Sequence, residues 1–208
     1  IISNKTLDKN IKIFPPGNVG KFNIKNNELK FRQYWDYNFT NNYPINYEDA
    51  VRELEYLFSK AVKNQLVSDV EISSYLSSGV DTSSISSIAS KNLNKLKTFT
   101  CGFDMKSSSG IEIFFDERDK AKSISETINS DHKELIVNSK DMENCLDKLV
   151  YHLEEPRVGQ SYPNFLIAKH VSKYTKVVLS GTGGDELFAG YPWRYYKSSN
   201  TQDFETFK

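Results

Sequence analysis

Two strand patterns in this chain run straight into turns of small residues and then into helix starts. The first is Val70-Glu71-Ile72-Ser73-Ser74-Tyr75, followed by Leu76-Ser77-Ser78-Gly79-Val80-Asp81-Thr82-Ser83. The second is Lys176-Val177-Val178-Leu179, followed by Ser180-Gly181-Thr182-Gly183-Gly184-Asp185-Glu186-Leu187-Phe188-Ala189-Gly190-Tyr191, a stretch with four of the chain's ten glycines. A strand that turns directly into a helix leaves bare backbone N–H groups at the helix's positive end, a seat for a multiply charged anion such as phosphate. Serine and glycine let the backbone come close, and hydroxyls add donors. Asp81 and Asp185 stand where a bare anion site would not want them, and they make sense if a divalent cation sits there too, because Mg²⁺ takes oxygen ligands and bridges to phosphates. The plainer alternative is a serine-rich turn and a glycine-rich turn, each capped by an aspartate.

The rest of the chain alternates in the same way. An amphipathic helix is expected over 47–67, with Val51, Leu54, Phe58, Ala61 and Gln65 at helical spacing and Leu57 and Val62 widening the face. Strands and helices then follow in turn: strand 70–76, helix 81–93, strand 97–103, helix 116–128, strand 133–137, helices 141–153 and 164–174, strand 176–179 and helix 184–191. Such alternation predicts an α/β fold, a doubly wound parallel sheet with helices on both faces. Val177-Val178-Leu179 is short and wholly apolar, as burial on both sides requires. A sheet of this kind places its ligand beyond the carboxyl ends of its strands, so two turns at neighbouring strand ends would face one pocket. Residues 104–110 form a serine-rich loop after a strand end, either a lid or a mobile connection.

The first turn resembles the pyrophosphate-binding motif of the ATP pyrophosphatases, Ser-Gly-Gly-x-Asp-Ser-Ser/Thr, with Ser78 in place of a glycine and Thr82 in place of a serine. The second resembles the Ser-Gly-Asp/Glu-Gly-Gly/Ser-Asp-Glu-Leu/Val-Phe-Gly-Gly-Tyr signature of asparagine synthetases, with Thr182 where the family has an acid. Phe115-Asp116-Glu117, Asp131-His132-Lys133-Glu134 and Glu155-Pro156, with Ser161 and Pro163 after it, resemble further segments of that family, so the likeness covers residues 68–196. A weaker likeness at Phe14-Pro15-Pro16-Gly17 and Arg32-Gln33-Tyr34-Trp35 matches the end of the family's glutaminase domain and its exit linker.

The resemblance implies an adenine nucleotide alpha-hydrolase-like domain. It would activate the β-carboxylate of aspartate with ATP as an acyl-adenylate, release pyrophosphate, and aminate the adduct with ammonia from a glutaminase domain. By position, Ser77, Ser78, Gly79, Thr82 and Ser83 would hold pyrophosphate. Leu76, Cys101, Ser180 and Gly181 would meet the adenosine, and Asp81 and Asp185 would ligate Mg²⁺. Thr182 occupies the position that the family uses in forming the adenylate. Leu76 would otherwise pass for core. β-Lactam synthetase-like cyclases and other carboxylate-adenylating relatives share these nucleotide residues, so the motifs leave the carboxylate open. A reading from another class is a nucleotide-binding module without catalysis, which Ser78 and Thr182 favour.

Composition bounds the rest. With 27 basic and 27 acidic residues among 208, the chain has no electrostatic footprint for nucleic acid, and no apolar run approaches membrane-spanning length. Cys101 and Cys145 make no disulfide framework, which fits a reducing cytoplasm, and Cys101 reads as a small buried residue. Of the histidines, His132 reads as structural, and His152 and His170 as surface or capping residues. Residues 1–46 read as a hairpin around Asn26-Asn27 and a linker, the tail of a preceding glutaminase-type domain, and residues 47–208 as part of a synthetase domain. The unpaired edge of the hairpin allows a homodimer. The first residue is isoleucine, so the chain is expected to be an excised piece that makes no asparagine by itself. The aromatic run Tyr191, Trp193, Arg194, Tyr195 and Tyr196 reads as a partner surface or, the preferred reading, as packing against further protein.

Overall fold

The computed structural model describes residues 5–38, 45–106, 116–154 and 161–191. Strands β1 (Asn18–Asn23) and β2 (Glu28–Gln33) form an antiparallel hairpin, with Asn18 opposite Gln33 and Asn23 opposite Glu28. It turns at Asn26-Asn27 as expected, and Asn27 takes the left-handed backbone (φ 53°) that asparagine tolerates. Phe14 packs edge-on against Phe31 with ring centroids 5.1 Å apart, yet both stay about half exposed, as do Phe22, Leu29 and Trp35.

The remaining elements build the α/β body. In chain order they are α1 (Tyr47–Gln65), β3 (Ile72–Tyr75), α2 (Val80–Asn92), β4 (Lys97–Phe103), α3 (Arg118–Thr127), β5 (Asp131–Val137), α4 (Ser139–Leu153), α5 (Ser161–Val171), β6 (Val177–Leu179) and α6 (Gly184–Phe188). The strands form one parallel sheet in the order β5-β4-β3-β6. Adjacent residues of a strand point to opposite faces, and β6 uses both. Leu179 joins a cluster of Val62, Ala89 and Leu96 with α1 and α2, while Val178 joins a cluster of Phe99, Ile167 and Val171 with α5. Helices therefore cover both faces, the predicted doubly wound arrangement. Phe99, Leu96 and Leu76 are each 1% exposed, and burials of this size contribute about 1.5–3 kcal/mol each.

The middle of the sheet is unusually polar. Ser73 and Ser74 of β3 are fully buried, and so is Ser86 of α2. Each is satisfied: Ser73 Oγ donates to the Val177 carbonyl at 3.2 Å, and Ser86 Oγ donates to Ser74 Oγ at 2.9 Å. Small side chains here let α2 lie close on β3. Its serines and β-branched residues are weak helix formers, so this helix depends on tertiary packing.

Several boundaries differ from the sequence expectation, each for a local reason. Strand β5 begins at Asp131 rather than Lys133, because Asp131 and His132 pair with Lys97 and Thr98. Helix α4 begins at Ser139, set by a capping box in which the Asn138 side chain accepts from the N–H of Asp141 and Asp141 accepts from the N–H of Asn138. Helix α5 spans Ser161–Val171, with Pro163 in its first turn, where proline is tolerated. Helix α6 stops at Phe188 rather than Tyr191, because Ala189 turns left-handed (φ 58°). On α1 the predicted apolar face is covered only towards its C-terminal end: Phe58, Val62 and Leu66 pack, while Val51, Leu54 and Leu57 stay exposed. Phe115, Glu155-Pro156, Trp193, Arg194, Tyr195, Tyr196 and most of the 104–110 loop lie outside the described residues.

His132 is structural, as expected. Its Nδ1 lies 2.9 Å from Thr98 Oγ1 between β4 and β5, and its Nε2 is buried without a hydrogen bond. His170 is a packing residue instead of a surface one, with its ring 5.4 Å from Tyr174 and 6.2 Å from Phe99. Burial lowers the pKa of His132, against the opposing pull of Glu134 and Asp131, and burial with Lys173 and Lys133 lowers that of His170. Both rings therefore bind protons less readily folded than unfolded, so stability is full above their ordinary value of 6.5 and falls as pH drops below it. Urea unfolding between about pH 5 and 8 should show this loss, and His132→Gln should flatten part of it.

Candidate active site

Strand order turns the fold into a site. From β3 the chain moves through α2 to β4 and β5 on one side, and later returns to β6 on the other side of β3. The carboxyl ends of β3 and β6 thus flank the point where the order reverses, the crevice where open α/β sheets bind ligands. The two small-residue turns leave from these two ends. A cavity of about 910 Å³ opens there, with residues of both turns in its wall.

The turns touch through their glycines. A Cβ placed on Gly181 would come within 2.9 Å of Asp81 Cβ and Thr82 Cγ2 and 3.1 Å of the Thr82 backbone nitrogen. A Cβ on Gly184 would overlap the Asp81 carboxylate itself, and one on Gly190 would overlap the Asp185 carboxylate. Asp81 of the first turn therefore nests in the second, against the residue just before Asp185. Gly183 takes a positive φ of 101° to make the second turn.

Within the first turn the backbone is less bare than the sequence suggests. Thr82 Oγ1 accepts from the Ser77 N–H at 3.0 Å and lies 2.8 Å from Ser77 Oγ. Ser77 Oγ in turn accepts from the Gly79 N–H at 3.0 Å, and Ser83 Oγ donates to the Ser77 carbonyl at 3.2 Å. These hydroxyls hold the loop's shape. The Ser78 N–H donates to Glu117 Oε2 at 3.2 Å. Helix α2 has no side-chain cap, and Val80, Asp81 and Thr82 of its first turn line the cavity. In the second turn Ser180 Oγ and Thr182 Oγ1 lie 2.8 Å apart, and the Gly184 N–H donates to the Gly181 carbonyl at 3.2 Å.

Of the residues singled out from sequence, Leu76, Ser77, Gly79, Asp81, Thr82 and Cys101 line the cavity from the β3 and β4 side. Ser180, Gly181, Thr182 and Asp185 line it from the β6 side. Ser78 and Ser83 do not line it; Ser83 spends its hydroxyl on the loop. The cavity also has an apolar wall of Tyr75, Phe99 and Ile167, residues that the sequence did not single out for the site. Glu117 is a further wall residue, and its signal was the aromatic-Asp-Glu segment. Just beyond it, Arg118 Nε donates to Asp116 Oδ1 at 2.8 Å, a charged hydrogen bond that holds the Asp116 pKa down.

Asp81 and Asp185 are the residues of this wall that could hold a divalent cation. Asp81 and Asp185 face one cavity, and among the described residues neither carboxylate has an ion pair or hydrogen bond. No cluster of three or more metal-ligating side chains exists among the described residues, so an ion here would need further oxygens from a ligand or water, as Mg²⁺ takes them. Among the described residues no helix is long and apolar enough to cross a membrane.

Cys101 is partly exposed on the cavity wall, but burial pushes its thiol from 9.0 up to about 11. The thiolate is the reactive form, so alkylation by iodoacetamide at pH 8 should run about a hundredfold slower than for an ordinary thiol. A rate at the ordinary value, followed by mass spectrometry, would contradict that.

The model for Asparagine synthase matches residues 53–208, which takes in both turns and the whole sheet. Asparagine synthetase [glutamine-hydrolyzing] 1 of Bacillus subtilis is 32% identical over 190 residues, covering 89% of this chain and 28% of the relative. A putative asparagine synthetase [glutamine-hydrolyzing] 2 of Methanocaldococcus jannaschii is 30% identical over 82% of this chain and 32% of the relative, so the chain spans about a third or less of these proteins. Among solved structures, an NH3-dependent NAD synthetase from Campylobacter jejuni aligns with a TM-score of 0.39 and 15% identity over 71% of this chain and 61% of that one, too slight a likeness to argue from. With two sequence signatures meeting at one sheet edge, and the family's match running through both, the chain belongs to the asparagine synthase family.

Proposed function

We propose that this chain is the nucleotide-binding part of an ATP-dependent amide-forming ligase that activates the β-carboxylate of aspartate and passes it to ammonia. The single observation that carries this reading is the nesting of Asp81 against Gly184 at the rim of a cavity large enough for a nucleotide. That contact sets the two turns side by side in one cavity wall.

In this reading the adenosine lies against Leu76, Cys101, Ser180 and Gly181, beside the apolar wall of Tyr75 and Phe99. The polyphosphate lies over Ser77, Gly79, Thr82 and the first turn of α2, whose N–H groups and positive end favour it, while Ser78 and Ser83, also expected at the phosphates, stand behind the cavity wall and shape the loop. Asp81 and Asp185 would hold Mg²⁺, which when bound neutralises charge on the phosphates. The chemistry is an exchange of bonds. A carboxylate oxygen forms a bond to the α-phosphorus as the bond to pyrophosphate breaks, giving the acyl-adenylate. Ammonia then bonds to the acyl carbon as the bond to AMP breaks, and a proton leaves the nitrogen. The barrier is electrostatic, a negative nucleophile meeting a negative centre, so fixed donors at the loop do more than covalent help could. In this reading residues 1–46 are the tail end of a glutaminase-type domain whose main part, outside this chain, would supply the ammonia, and the cytoplasm is where the protein would act.

Titration calorimetry with ATP tests the binding step. Asp81→Asn and Asp185→Asn should each weaken Mg²⁺-dependent ATP binding about tenfold or more, roughly 1.4 kcal/mol, with the circular dichroism unchanged. Unaltered affinity in both would remove the proposed metal site.

Thr182 favours a second reading, binding without turnover. Its hydroxyl is spent on Ser180 and it carries no charge where the family has an acid. In the full-length protein, Thr182→Glu should raise aspartate-dependent pyrophosphate release. Unchanged release would show that this position does not govern activation, and ATP binding with no carboxylate-dependent release in either form would favour the non-catalytic module. Release with a carboxylate other than aspartate would favour the cyclase-like relatives.

A further inference from the structure

We propose that Glu117 makes this cavity select a polyphosphate carried by a divalent cation over the free polyphosphate. The inference rests on the nucleotide-binding reading above and adds to it the residue that sets the metal requirement.

Three observations carry it. First, Glu117 already occupies the anion seat. The amides of Ser77 and Gly79 are satisfied by the loop's own hydroxyls, and the amide between them, that of Ser78, donates to Glu117 Oε2 at 3.2 Å. Ser78 itself is not in the cavity wall but Glu117 is, so an internal carboxylate stands at the wall on the loop to which the proposed function assigns the polyphosphate. Second, Glu117 is aimed there by a clamp on either side of it. Arg118 donates through Nε to Asp116 Oδ1 at 2.8 Å and through Nη2 to the Phe103 carbonyl at 3.0 Å. Its side chain lies over Gly102, where a Cβ would clash with it. The clamp fixes the start of α3 on the end of β4, and it spends the nearest guanidinium on Asp116, leaving Glu117 with no cationic partner among the described residues. Third, every charged residue described in the cavity wall is acidic. Its described residues include Asp81, Glu117 and Asp185, and no lysine, arginine or histidine.

A free polyphosphate entering this cavity must displace one carboxylate from its hydrogen bond and approach two more. Like charges this close oppose binding strongly in a partly desolvated pocket. A divalent cation arriving with the polyphosphate reverses the sign of each of these contacts, because the carboxylates then face a positive centre. Glu117 therefore acts by exclusion: it costs the free anion its seat and leaves the chelate able to enter.

The test is titration calorimetry of wild type, Glu117→Gln and Glu117→Ala with inorganic pyrophosphate, once in EDTA and once with excess Mg²⁺. Circular dichroism of each protein checks the fold. Both variants should bind metal-free pyrophosphate about tenfold or more tightly than wild type, with less than about threefold change for the Mg²⁺ complex. Equal metal-free affinity in all three proteins would overturn the inference. So would a loss of the Mg²⁺ complex in Glu117→Gln as large as that in Asp81→Asn, because Glu117 would then be a metal ligand. Either of those results leaves the nucleotide-binding reading standing. If none of the proteins binds pyrophosphate or ATP with or without Mg²⁺, that reading fails and this inference with it.

Discussion

Everything distinctive about this molecule follows from one close approach, the seating of Asp81 against the backbone of the second turn. Asp81 stands in the first turn of α2 and Gly184 begins α6, over a hundred residues on, yet no side chain larger than hydrogen fits between them. The contact exists because β3 and β6 are neighbours in register, Ser74 opposite Leu179, so that both strands end at the same level. Two turns that leave parallel strands at one level must meet, and only glycine lets them meet this closely.

The sheet supports that meeting with an uncommon choice of residues. A central strand of Ser73 and Ser74 forgoes apolar burial, but it lets α2 approach closely and provides donors that its neighbours satisfy. The apolar burial comes instead from the two flanking clusters, around Ala89 and Leu96 on one face and around Phe99 and Ile167 on the other. The hydroxyls of the first turn work the same way, with Thr82 as a hub that holds Ser77 and so fixes the shape of the loop before any ligand arrives. Such preorganisation is what an electrostatic site needs, because donors already in place cost no reorganisation when charge arrives.

The legible part of the fold was the part written in short-range pattern. Apolar strands, helical spacing and small-residue turns named the elements and their alternation, and β4 was read to the residue at Lys97–Phe103. Edges that depend on partners were less legible. Strand β5 gained Asp131 and His132 only because β4 lies beside it, and α6 lost its last turn to a left-handed Ala189 that no propensity forecasts. The α1 stripe was also overread: helical spacing marks an apolar face, but it says nothing of how much protein exists to cover it, and Val51 and Leu54 remain in solvent.

The candidate site divides along the same line. The amino-acid sequence alone determined the two turns, their aspartates and the family to which they belong, because local backbone demands and ligand chemistry restrict which residues can stand at each place. The shared cavity followed from the expected strand order, but only the tertiary structure decided that Ser83 spends its hydroxyl inside the loop and that Glu117 reaches the Ser78 amide from the start of α3. These are contacts across many residues of chain, set by strand order and register, and nothing in the local pattern of either partner carries that information.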